Sequence, residues 1–113
     1  MIVILVSDID LAENIRELLT FSGVKHVVLI DSYEKLSPIP SGDIDLIVYS
    51  DPDDIGLHNL TWLVTENKIP IIVLTSSSIK YNLNGQSIIL ELPFDAEELI
   101  AHSDQLITAR QTV

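Results

Sequence analysis

Carboxylates and hydroxyls are the side chains of this sequence whose placement could do chemistry. Asp8 and Asp10 follow the first apolar run, Asp51, Asp53 and Asp54 follow the third, and Ser7, Ser50 and Thr75 each stand where such a run ends. A set of this kind could hold magnesium or calcium, provided several oxygens converge on one point. The plainer reading is a solvated acidic rim, in which Asp caps helices and shapes turns. His26, His58 and His102 are scattered, with no partners at ligand spacing. Ser76, Ser77 and Ser78 form a polar run without glycine, and no glycine-rich phosphate or dinucleotide fingerprint follows any apolar run. The absence of cysteine removes disulfides, thiolate metal sites and cysteine nucleophiles. With no nucleophile–base pair in view, a non-enzymatic role is expected.

The elements that must position these groups are legible as short runs rich in Val and Ile. They are Ile2 to Val6, His26 to Ile30, Leu46 to Tyr49, Ile69 to Leu74 and Ser87 to Leu90. All five are continuous rather than alternating, which predicts strands covered on both faces, as in a parallel sheet. Leu11, Ile15, Leu18 and Leu19 form one helical stripe, for which Asp10 is the expected cap with Glu13 at the capping-box spacing. Leu99, Ile100, Leu106 and Ile107 form another, preceded by Asp95 as cap with Glu98 three residues on. A short helix is expected over Asp31 to Leu36, closed off by Pro38 and Pro40. Another is expected over Leu57 to Val64, with Leu57, Leu60 and Leu63 inward and Trp62 beside them. Ser76 to Gln86 is mostly polar and contains the turn signal Asn84-Gly85, so the fourth helix of the series is expected to be shortened or missing.

Alternating strands and helices with right-handed crossovers give an α/β fold. Five strands at this spacing predict a doubly wound parallel sheet of order 2-1-3-4-5, the flavodoxin-like arrangement. The working end of such a sheet is the carboxyl edge of its strands. That edge should carry Ser7, Asp8, Ser50, Asp51, Thr75, Leu92 and Pro93. The chain has 113 residues, enough for one domain, which we place at residues 1–110 with 111–113 as a tail. Hydrophobic residues are 47% of the chain and charged residues 20%, which excludes a disordered polypeptide. A net charge of −11 argues against nucleic acid or an anionic membrane surface as partner. The first strand is expected at once after Met1, so no signal peptide is expected, and no apolar run reaches the roughly 18 residues of a membrane span. A cytoplasmic protein is therefore expected.

Four segments carry a resemblance to the receiver domains of two-component response regulators: Ile4 to Asp10, Asp45 to Asp51, Ile69 to Thr75 and Leu92 to Leu99. The resemblance covers nearly the whole chain. In that family an acidic pair after strand one holds magnesium, an Asp ending strand three accepts a phosphoryl group, a Thr or Ser ending strand four senses it, and a Lys before a cis-proline after strand five neutralises it. An acyl phosphate among carboxylates needs such a cation and a fixed ammonium beside it. Here the acidic pair falls on Ser7 and Asp8, the acceptor on Ser50 and the lysine on Leu92. Thr75 and Pro93 match, and the family's aromatic switch falls on Ile89. A cis peptide at Leu92-Pro93 is the expectation.

The resemblance thus implies a degenerate receiver, a pseudo-receiver, that signals by phosphorylation-independent protein–protein contact and needs no cofactor. Its expected partner surface comprises Ile79, Tyr81, Leu90, Glu97, His102 and Asp104. The expected partners are a kinase, an output or motility protein, or a second copy of the chain. Two alternatives stand beside it. One is an active receiver phosphorylated on Asp51, with magnesium held by Asp8 and Asp51. This requires a one-residue bulge in strand three, because a shift by one turns a side chain to the opposite face. Lys80 is then the one nearby base. The other is a flavodoxin-like module that binds a small ligand.

Overall fold

The computed structural model describes residues 1–36, 38–50, 69–75 and 87–111. Five parallel strands form one sheet: β1 (Ile2–Val6), β2 (Val27–Ile30), β3 (Leu46–Ser50), β4 (Ile71–Thr75) and β5 (Ser87–Glu91), in the order β2-β1-β3-β4-β5. This is the expected topology. The strand ends differ by one or two residues from expectation. Strand four starts after Pro70, which has no N–H to give a ladder, although its carbonyl accepts from Ile47 N at 3.0 Å.

Strand alternation divides the core in two. Ile2, Ile4, Val6, Val48, Ile72 and Leu74 face the helices α1 (Ile9–Phe21) and α2 (Ala96–Gln111), meeting Ala12, Ile15, Leu19, Leu99 and Leu106. Val3, Leu5, Ile47, Tyr49, Ile71 and Val73 face the other way, where Leu36, Ile44 and Ile69 cover them. Each fully buried aliphatic contributes about 1.5–3 kcal/mol, so the three central strands, buried throughout, dominate stability. The edge strands behave differently. β5 alternates, with Leu90 buried and Ile89 and Glu91 exposed, because an edge strand is covered by fewer neighbours.

Two helix-level expectations are corrected. The cap of α1 is Asp8, not Asp10. Asp8 has extended backbone (φ −83°, ψ 112°), and its Oδ1 accepts from the N–H groups of Asp10 (3.0 Å) and Leu11 (3.3 Å). Asp10 lies inside the first turn, where its charge suits the helix dipole. The inward stripe of α1 is Ala12, Ile15 and Leu19, with Leu11 and Leu18 half-buried at its margin. Asp95 does cap α2, accepting from Glu97 N at 2.8 Å. Asp31 to Leu36 yields a 3-10 turn over Tyr33–Leu36. The expected helix over Leu57 to Val64 and the fate of the fourth helix lie outside the described residues.

Candidate functional site at the carboxyl edge

The carboxyl edge is assembled from three strand ends. The register pairs Val6 with Ser50, and beyond it Ser7 N donates to Ser50 O at 3.1 Å. Tyr49 pairs with Val73, so the register carries Ser50 level with Leu74. Thr75 pairs with Glu91, and Leu92 N then donates to Thr75 O at 2.9 Å. The sheet therefore brings Ser7, Ser50, Thr75 and Leu92 to one rim. The Leu92-Pro93 peptide is cis, as expected.

The chemistry of that rim follows from what each side chain does. Ser7 is exposed and brings a hydroxyl to the rim. Asp8 is the remaining carboxylate of the pair, and its Oδ1 is engaged by two backbone N–H groups of α1. Ser50 is 8% exposed and completes a strand that is otherwise apolar. Thr75 is buried to the same degree. Leu92 continues the alternation of Ile88 and Leu90 and packs, half-buried, against the α1/α2 core together with Phe94. An aliphatic group so placed cannot donate to an anion. Asp51 and Lys80 lie outside the described residues.

Magnesium requires an octahedral shell of oxygens. Among the described residues no group of three or more His, Asp or Glu side chains could hold a metal ion. Ser7, Asp8 and Ser50 offer one carboxylate, already used as a cap, and two neutral hydroxyls. The alternative magnesium pair, Asp8 with Asp51, lies partly outside the described residues.

The sequence reading missed Glu91, an exposed carboxylate paired in register with Thr75. The signal was available: two residues before it stands Ile89, and both face away from the side to which Leu90 and Leu92 belong. The expected partner surface needs one correction. Leu90 is 8% exposed and belongs to the α1/α2 core, so it is not an accessible contact; the exposed apolar residue of β5 is Ile89, at 40%. The alternation of an edge strand turns the neighbour outward instead. Glu97 and Asp104 are exposed on α2, and His102 is half-buried there, its Nδ1 without a hydrogen-bond partner among the described residues. Ile79 and Tyr81 lie outside the described residues.

No protein-family model and no curated protein sequence matches the chain. Solved structures do. A response regulator receiver domain protein from Bacillus halodurans C-125 superposes with a TM-score of 0.76 at 22% identity, over 93% of this chain and 94% of its own. A candidate response regulator from Chloroflexus aurantiacus J-10-fl gives 0.78 at 19% identity, over 95% and 96%. A two component transcriptional regulator from Clostridium phytofermentans ISDg gives 0.73 at 14% identity, over 98% and 96%. These superpositions cover nearly the whole of each chain, and the molecule accordingly has the fold of response-regulator receiver domains.

Proposed function

We propose that this chain is a signal-transduction regulatory module that works by protein–protein contact without accepting a phosphoryl group. The observation that carries the reading is Leu92: the position at which receivers place an ammonium holds an aliphatic side chain packed against the core. Loss of that counter-charge removes the main stabilisation of a transferred phosphoryl group. Ser7 and Ser50 point the same way, since both replace carboxylates by hydroxyls. The β4–β5–α2 corner is closed by the main-chain bond from Leu92 N to Thr75 O. The module acts without an enzymatic step and without a cofactor, in the cytoplasm, on a kinase, an output or motility protein, or another copy of itself. No described helix is long and apolar enough to cross a membrane.

The test is direct. The chain is incubated with magnesium and a small acyl phosphate, and its intact mass is followed. In parallel, amide spectra are recorded with beryllium fluoride, a phosphoryl mimic. The expected outcome is an unchanged mass and unshifted amides of Asp8 and Thr75. A phosphoryl adduct that maps to Asp51 would replace this reading with that of an active receiver.

A further inference from the structure

The opposite, amino edge of the sheet carries a feature that the carboxyl-edge reading does not use. A cavity of about 500 Å³ opens there between the end of α1 and the middle turns of α2. Leu19, Val24, Ile100 and Ile107 give it apolar walls, and Lys25 and Asp104 line it with charges of opposite sign. Neither charge is in an ion pair among the described residues. Phe21 stands one residue before the groove-lining Ser22 and is 95% exposed.

That exposure is not the fraying of a helix end. Ser22 N donates to Leu18 O, Gly23 N to Thr20 O and Val24 N to Leu19 O, each at 3.1 Å, and Ser22 Oγ to Leu19 O at 2.7 Å. Gly23 takes φ +110°, the glycine conformation that ends a helix in this way. The corner is thus fixed, and it holds a phenyl ring in water beside an apolar recess.

We infer that Phe21 and this groove are the two halves of a self-complementary interface between two copies of the chain. A two-fold axis at this corner inserts each Phe21 into the other copy's groove, an isologous contact in which the same patch serves both sides. The charges favour a second copy over a foreign partner. A strongly basic partner would suit a chain of net charge −11 at its acidic faces, but this groove is charge-balanced: the Met1 ammonium and Asp45 pair within the copy at 2.7 Å, which leaves the cation Lys25 and the anion Asp104. The two-fold axis pairs Lys25 of each copy with Asp104 of the other. Apolar anchor, recess and paired charges together reproduce the buried centre and polar rim of a specific interface. The inference is independent of whether the carboxyl edge accepts a phosphoryl group.

Sedimentation equilibrium of the full chain, from micromolar to submillimolar concentration, tests it. The wild type is expected to show a monomer–dimer equilibrium. Phe21→Ser, which removes the anchor, and Ala101→Trp, which fills the recess, should each weaken the dimer by about tenfold or more, the scale of one buried aromatic anchor. Phe21 and Ala101 are exposed, so both variants should keep the wild-type circular dichroism. Mixing the two variants should give more dimer than either forms alone, because one intact anchor then meets one intact recess. Ile9→Ser, at the far end of α1 and equally apolar, should leave the equilibrium unchanged. A wild type that stays monomeric throughout overturns the inference, as does a dimer indifferent to both Phe21→Ser and Ala101→Trp.

Discussion

The backbone N–H of Leu92 donates to the carbonyl of Thr75 at 2.9 Å, while the Leu92 side chain turns into the α1/α2 core. One residue therefore closes the β4–β5 corner with its main chain and seals the sheet with its side chain. In a receiver that phosphorylates, the residue at this place keeps its side chain free to meet an anion. The structural and the chemical use of such a position compete, and in this chain the Leu92 side chain is packed against the core.

Rebuilding the receiver pattern should expose that competition. Ser50→Asp puts a carboxylate at a site 8% exposed, and is expected to cost about 1–3 kcal/mol in urea denaturation. Leu92→Lys alone should cost about 1 kcal/mol through lost apolar burial. Combined, the two should cost less than their sum by about 0.5 kcal/mol or more, because the ammonium relieves the buried carboxylate. Strict additivity in the double-mutant cycle would show that the two side chains do not reach each other.

Asp8 should behave as a helix cap. Asp8→Ala is expected to lower stability by about 1 kcal/mol, and Asp8→Asn, which keeps the accepting oxygen, by a few tenths. Denaturant midpoints measured with and without magnesium should be the same for the wild type. A magnesium-dependent rise that Asp8→Asn abolishes would restore a metal role to this carboxylate.

Gly23→Ala should destabilise by about 1–2 kcal/mol through the backbone alone. The residue adopts φ +110°, and an added Cβ would meet nothing within 4 Å, so no steric clash contributes. Thermal unfolding checks this. If the helix end refolds around the substitution, the melting temperature will not move.

Asp31 lies 2.8 Å from Lys35 through Oδ1, four residues apart in the chain and both exposed. The hydrogen bond from Lys35, and then its positive charge, hold the Asp31 carboxyl below its ordinary value of 3.8. Because the folded-state pKa is the lower one, the pair's contribution is present above the unfolded pKa and is lost as pH falls through the folded value. Carboxyl carbon titration by NMR should show Asp31 returning to its ordinary range in Lys35→Ala, and moving the same way in high salt, which screens an exposed pair.

The strands were written in the chain. Five Val- and Ile-rich runs, spaced for crossovers, specified a parallel sheet of order 2-1-3-4-5, because buried parallel strands are apolar on both faces and connections keep one hand. The gathering of Ser7, Ser50 and Leu92 at the carboxyl edge was equally legible, since each stands at or just beyond the end of an apolar run. Tertiary structure decided the rest. Leu90 and Ile89 are indistinguishable as residues, and only the pleat of an edge strand against α1 and α2 determined that Leu90 is buried and Ile89 exposed. Asp8 and Asp10 are both acceptable caps, and the extended backbone of Asp8, set by the exit from β1, chose between them. The recess beside Phe21 has no sequence signature, because its walls come from residues far apart in the chain that meet only when α2 lies down beside α1.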